Sequence, residues 1–475
     1  MVSSSPRFSS VLRRRLSSMS KRQGFGSFHS EDIETLIRQP ASEYGVPSIW
    51  VDMHVRGFSH IDPSIPFGRR FKEKFFALDP SWTFLNHGAF GGALLPLLEE
   101  SRGWSLECER QPLKFFDREL LPLIAYSIRQ MADYLNCPSQ ELLPLPNVTT
   151  GLNAIMNSVD LNVGDEVVCF SLTYGSTKKI LQNRCHRSGA SLRIVPIPLP
   201  IRSEEEISLE LSKHLSERTR LVVIDHITSN TALLMPVMQL ASICKERGAL
   251  VVVDAAHCLF SQPIQLRLFS KDIDPRPSLS EVADAWLTNG HKWLCAPKGC
   301  AFMWFNPRTL GAFLRPAVVS HGFSADSNRV LSGFAWDGCR DYSAMLSVPS
   351  ALRFWESIDE HRCLGARDYM AELCRQGRDV IRRAWRIGDE DTHCPEGMRE
   401  GLPMTLVPLP AKLNGIDTTK DCSDAEAFQL QEWLHHEKRI EVPVKHLSGR
   451  LYVRISAHVY NELEDFDRLA RAFQE

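Results

Sequence analysis

Residues 220–257 read "RLVVIDHITSNTALLMPVMQLASICKERGALVVVDAAH". Two apolar runs, each ending in an aspartate, Asp225 and Asp254, flank a stretch with helical markers. Pro236 stands at the start of that stretch and Gly248 at its end, where helices accept them. A strand with no polar alternation is buried on both faces, and strand–helix–strand order joins parallel strands. The same grammar extends outward. "DEVVCFSL" reads as a strand and "STKKILQNRCHRSG" as a helix closed by Gly189. "SLRIVPIPL" reads as a strand, and "SEEEISLELSKHLS" as a helix with a Ser cap and an acidic first turn. Downstream, "ADAWL" and "CAFMWF" are two further strands. The expected fold is α/β: a large doubly wound, mainly parallel sheet domain over 76–339.

From residue 340 the pattern changes to a smaller α/β domain, 340–475. "SAMLSVPSALRFWESI", "ARDYMAELCRQGRDVIRRAW" and "ELEDFDRLARAFQE" read as helices. "MTLVPLP", "IEVPV" and "LYVRISAHV" read as short strands. Residues 31–75 form a weakly patterned extension. The basic Ser/Arg-rich segment 1–30 has the composition of a mitochondrial transit peptide, or of a plain basic tail. An intracellular protein, mitochondrial or cytoplasmic, is expected. The chain has 475 residues, a formal charge of −2 and 13 cysteines in no metal or disulfide spacing. Nothing in that balance points to nucleic acid or to an anionic membrane surface. No apolar run approaches the length that spans a bilayer.

Ligands of open α/β sheets bind at the carboxyl ends of the strands. Those ends carry Tyr174, Asp225 to Ser229, Asp254, His257, His291 and Lys292. Any one of them is ordinary loop polarity; together they supply an aromatic ring, carboxylates, imidazoles and an amine. A lysine beside His291 and next to a core has its pKa lowered. A neutral amine is a nucleophile that forms Schiff bases with aldehydes. Paired with the Asp254 carboxylate, it meets the needs of pyridoxal phosphate, whose ring nitrogen is kept protonated by an acid. His257 is placed to bond the ring hydroxyl and Tyr174 to stack on the ring. Thr149 and Thr150 begin a helix, where free N–H groups bind phosphate, although a simple Thr cap explains that stretch alone. Asn289 and His291 can reach the same phosphate. Arg454 alternates with Tyr452 and Ser456 on a strand, as a carboxylate-binding arginine or as a surface ion pair.

Several stretches taken in order carry a family likeness from about Phe67 onward. They are "FFALDPSWTFLNHGAFGG", "ERQPLKFFDREL", "NVTTGLNAI", "IDHITSNTALLMPV", "VVVDAAH", "NGHKWLCAPKG", "GCRDYSAMLSVPSAL" and "VRISAHVYN". The chain resembles class V (cysteine-desulfurase-like) pyridoxal-phosphate enzymes, in the isopenicillin N epimerase-like branch. The resemblance implies the fold of the aspartate-aminotransferase-like enzymes (fold type I) and a homodimer. It implies Lys292 as the Schiff-base lysine, Asp254 as the partner of the ring nitrogen and His257 near the ring hydroxyl. Tyr174 matches the stacking aromatic, and Thr149, Thr150, Asn289 and His291 match the phosphate ligands. Ser229 lies near the ring oxygen. Arg454 is implied as the substrate-carboxylate arginine, with Asn86 and His87 lining the substrate pocket. No metal is implied. Two departures stand out. Cys339 replaces the threonine of a Gly-Thr-Arg-Asp motif that reaches the partner subunit's phosphate. Residues 320–336 also lack the persulfide-forming cysteine of desulfurases, which argues against a persulfide relay. The expected activity is β-elimination of the carbon–sulfur lyase type, with transamination or epimerisation as alternatives on the same site. A non-catalytic relative acting as a scaffold is the alternative of another class.

Overall fold

The computed structural model describes residues 31–58, 62–264, 266, 278–360, 365–388, 393–413, 416–419 and 421–473. The tail expected at 1–30 lies outside the described residues. The main sheet has seven strands. They are β1 (Leu142–Leu145), β2 (Glu166–Phe170), β3 (Ser191–Val195), β4 (Thr219–Asp225), β5 (Leu250–Asp254), β6 (Ala285–Asn289) and β7 (Ala301–Phe305). Their order is β1-β7-β6-β5-β4-β2-β3. β6, β5, β4, β2 and β3 run parallel, whereas β7 is antiparallel to both of its neighbours. The expected mainly parallel sheet is present, with one reversed strand. β3 stops at Val195 rather than running on through "PIPL". Pro196 and Pro198 have no N–H to donate to a ladder, and the strand lies at the sheet edge, where such residues end pairing.

The strands are apolar because helices cover both faces. Helix α1 (Val148–Ser158) follows β1, and α2 (Gly175–Ser188) joins β2 to β3. α2 ends on Gly189 at φ 74°, a left-handed position that suits glycine. Pro236 turns out to be the cap rather than the first residue of the helix Val237–Glu246. Ser203 caps the next helix upstream by position alone, and three glutamates in that first turn face the positive helix end.

Two hydrophobic cores divide the described chain. The larger joins the sheet to N-terminal helices through Ile33, Trp50 and Phe71, and to the helix Val348–Glu360 through Phe354 and Trp355. The smaller gathers Leu85 with apolar residues drawn from Leu373 to Ala472, although Met398, Met404 and Tyr460 of that stretch pack in the larger. The smaller core surrounds β8 (Met404–Pro408), β9 (Val444–Leu447) and β10 (Arg450–Ser456), paired antiparallel in the order β9-β10-β8. The long helix α3 (Ala366–Trp385) serves both, with Met370 in the larger core and Leu373 in the smaller. Residues 343–360, grouped with the smaller domain on sequence pattern, therefore pack on the larger core. Thr83–Phe84 pairs in parallel with Ile440–Glu441, which carries Asn86 to the seam between the two cores. Among the described residues no helix is long and apolar enough to cross a membrane.

Candidate active site

β4, β5 and β6 end on Asp225, Asp254 and Asn289. Three residues beyond β6, the Lys292 Nζ lies 3.0 Å from His257 Nε2. Burial brings the Lys292 pKa down to about 8, a drop that Asp254 opposes and Arg454 assists. Burial holds His257 well below the usual imidazole range, so its ring is neutral. Asp254 is pushed up by burial and pulled back by the Ala256 N–H, Lys292 and Thr177. Its Oδ1 accepts from Ala256 N at 3.2 Å and its Oδ2 from Thr177 Oγ1 at 3.1 Å. An amine and a carboxylate, each drawn toward neutrality by a dry environment, thus lie near enough for their charges to act on each other.

The expected phosphate side differs in detail. The cap of α1 is Asn147, not a threonine: its Oδ1 accepts from Thr150 N at 2.9 Å and from Thr150 Oγ1 at 3.1 Å. Thr149 is exposed in the first turn. Asn289 is not a free side chain, since its Oδ1 accepts from Val148 N at 3.2 Å and fixes the helix start against β6. His291 Nδ1 lies 3.2 Å from the Cys300 carbonyl, so that nitrogen carries the proton. Burial lowers the His291 pKa to about 4, which leaves Nε2 as an acceptor. Tyr174 opens α2, is 44% exposed, and donates its N–H to Asp225 Oδ1 at 3.2 Å. Its ring is thus accessible at the sheet end.

Arg454 sits on β10 and is only 3% exposed. Nη2 donates to Asn86 Oδ1 at 2.8 Å, and Nη1 donates to the Ser229 carbonyl. Ser229 thus meets the arginine through its backbone rather than its hydroxyl. Asn86 Nδ2 in turn donates to Glu441 Oε1 at 3.0 Å. Burial lowers the Arg454 pKa to about 10, so the guanidinium is still charged at neutral pH. His87 is fully buried, with Nδ1 2.9 Å from the Tyr460 hydroxyl and Nε2 3.1 Å from the Lys292 carbonyl, so both ring nitrogens are already bonded within the protein. The carbonyl makes Nε2 the protonated nitrogen, so Tyr460 donates to Nδ1. His87, Cys295 and His458 bring three ligand-type atoms within 4.8 Å of one another. His87 nevertheless commits both of its nitrogens, Nδ1 to the Tyr460 hydroxyl and Nε2 to the Lys292 carbonyl.

Sequence reasoning missed Thr177, Glu441 and Tyr460, each of which positions a predicted residue. It noted Asp225 only as a strand end, although the equal strand endings hinted at its pairing with Asp254. Pyridoxal 5′-phosphate fits this donor set on its own terms. A buried amine of lowered basicity, a buried carboxylate, an accessible aromatic ring and a helix N-terminus stand together. His257 Nδ1 and Arg454 Nε are buried without a protein partner.

Comparison with known proteins supplies the class. The family model described as "Aminotransferase class-V" matches residues 119–329. An L-cysteine desulfhydrase of Arabidopsis thaliana is 32% identical over 428 residues, spanning 82% of this chain and 87% of its own. An isopenicillin N epimerase of Amycolatopsis lactamdurans is 28% identical, spanning 84% and 96%. Among solved structures, the complex of the cystine C–S lyase C-DES with cysteine persulfide superposes with a TM-score of 0.63 at 17% identity, covering 83% of this chain and 98% of that one. The chain belongs to the class-V aminotransferase family, whose enzymes depend on pyridoxal phosphate and share this fold.

Proposed function

We propose that the protein is a carbon–sulfur lyase that eliminates sulfide from L-cysteine, giving pyruvate, ammonia and hydrogen sulfide with uptake of one water. The observation that carries this reading is the buried Lys292 amine, 3.0 Å from His257 and near enough to the buried Asp254 and Arg454 to be acted on by both charges. The choice of cysteine is supported by relatives named as L-cysteine desulfhydrases, the first at 32% identity. Lys292, His257, Tyr174, Ser229, Asp254, Thr149, Thr150, Asn289 and His291 would hold the cofactor. Arg454, with Asn86 beside it, would bind the substrate carboxylate. When bound, pyridoxal phosphate supplies an electron sink for the pair released at the substrate α-carbon.

The residues divide the remaining work. Arg454 offers the carboxylate a charge fixed in direction by Asn86 and Ser229. Lys292, neutral in a sizeable fraction of molecules, takes the α-proton as general base. His257 holds that amine in place and can accept or return its proton, because burial leaves the imidazole neutral. Asp254 keeps a negative charge at the bottom of the pocket, anchored by Thr177 and the Ala256 N–H. His87 holds the peptide carbonyl of Lys292, and Tyr460 orients the His87 ring.

The test is product analysis with L-cysteine. Sulfide, pyruvate and ammonia in equal amounts, abolished in Lys292→Ala, is the expected result. A second reading, epimerisation, is favoured by the resemblance to isopenicillin N epimerase; it would give an inverted amino acid and no sulfide. Alanine with transferred sulfur in place of pyruvate would contradict both. We also infer a homodimer in which residues 333–341, with the exposed Cys339, reach the partner's pocket. Light scattering at monomer mass would refute it. Placement in the mitochondrion or the cytoplasm belongs to the same proposal, and imaging of the tagged full chain tests it.

A further inference from the structure

Asp225 and Asp254 end neighbouring parallel strands and are paired residue for residue. Paired residues of a parallel ladder project to the same face, so the two carboxyls stand side by side. Both are buried, at 3% and 5% exposure. Two carboxylates so placed resist ionising together, so one of them keeps its proton to an unusually high pH. The surroundings decide which. Asp254 has Lys292 acting on it, together with Thr177 and the Ala256 N–H. Asp225 has no cation of its own. Facing it are Cys169 of β2, Thr173 and Tyr174 of the following turn, and Asp254. The Lys178 ammonium of α2 is donated to the Ser171 carbonyl, and the ring of the adjacent His226 is turned to Trp286. Asp225 Oδ1 accepts the Tyr174 N–H, and the Thr173 side chain also bonds the carboxylate and opposes the rise in its pKa, while Oδ2 is buried without a hydrogen-bond partner. A bare carboxylate oxygen there is costly, whereas a carboxyl O–H there is a donor beside an anion. Burial and the neighbouring Asp254 raise the Asp225 pKa to about 7.

We propose that Asp225 holds the proton of a buried carboxylate pair and thereby keeps Asp254 in the ionised form that meets the cofactor's ring nitrogen. This rests on the reading of Asp254 given under the proposed function. Asp225 is a positioning residue: it touches neither substrate nor cofactor. Its proton takes no part in the chemistry, and no bond to Asp225 forms or breaks in the reaction.

Asn matches a protonated Asp in shape and keeps both an acceptor for Tyr174 and a donor in place of the O–H. Asp225→Asn is therefore expected to retain cofactor affinity within about threefold, whereas Asp225→Leu, which lacks both groups, loses at least about tenfold. Infrared difference spectroscopy of the full chain, wild type minus Asp225→Asn at pH 6, reads the protonation directly. The expected difference is the carbonyl stretch of a protonated carboxyl, fading as pH rises through about 7. A difference containing only carboxylate bands at pH 6 would overturn the proposal, as would a loss of cofactor in Asp225→Asn as large as in Asp225→Leu. The spectrum is recorded with and without cofactor. A wild-type protein that never binds pyridoxal phosphate would thus refute the proposed function while the Asp225 proton is still read.

Discussion

The lowered basicity of Lys292 has a consequence that can be measured without cofactor or substrate. A fall in its pKa from 10.5 to about 8 raises the neutral fraction at pH 7 about 300-fold over an ordinary lysine. The cause is burial, only partly offset by Asp254. Only the neutral amine acylates, so its pH–rate profile should climb tenfold per unit and flatten near pH 8. An ordinary solvated lysine should still be climbing at pH 9 to 10. The perturbation is a series of short pulses with an amine-reactive ester at stepped pH on cofactor-free protein. Peptide mass spectrometry then reads each lysine separately. Absolute rates depend on access, but the position of the bend does not. Asp254→Asn removes the one neighbour that raises the Lys292 pKa, so its bend should move to lower pH. A Lys292 profile that bends with those of the surface lysines, or an Asp254→Asn bend that moves upward, would refute the reasoning.

Other perturbations follow from the same geometry. Arg454→Met should raise KM for the amino-acid substrate about 10- to 150-fold, the equivalent of about 1.5–3 kcal/mol for a hydrogen bond to a charged group; initial-rate kinetics decide. Gly91 has φ +70°, and an added Cβ would lie 2.8 Å from Lys292 Cα. Gly91→Ala should therefore cost at least about 1 kcal/mol of stability and weaken cofactor retention, read by thermal unfolding and visible absorbance. Asp284 is fully buried, accepting from Val251 N at 2.7 Å and from Lys245 Nζ at 2.9 Å. Asp284→Ala strands that N–H inside the sheet and should lower stability by about 1–3 kcal/mol, seen as a lower urea midpoint with unchanged slope.

Much of this architecture was legible because buried parallel strands write themselves as unbroken apolar runs. "LVVI" and "LVVV" leave little else to be, and the residues that follow them are the ones at the sheet's carboxyl edge. The reversed direction of β7 was missed, although a cue existed: the link 290–300 is shorter than the dozen or more residues of a parallel crossover. The division of the two cores inside α3 left no mark, since a helix that serves two cores keeps one continuous amphipathic pattern. Polar partners were harder still. Asn147 displaced the threonines as a cap because both residue types favour that position, and local sequence does not rank them. The motif gave His87 a place beside Asn86; only three-dimensional packing reveals that Tyr460 and the Lys292 carbonyl occupy both ring nitrogens. Glu441 behind Asn86 is a contact across 355 positions of sequence separation, which no periodicity encodes.

The central claim is a covalent bond at one nitrogen. Purified protein supplied with pyridoxal phosphate, reduced with borohydride and digested, should yield a single cofactor-bearing peptide with the added mass on Lys292. An unmodified Lys292, or the mass on any other lysine, would contradict the account.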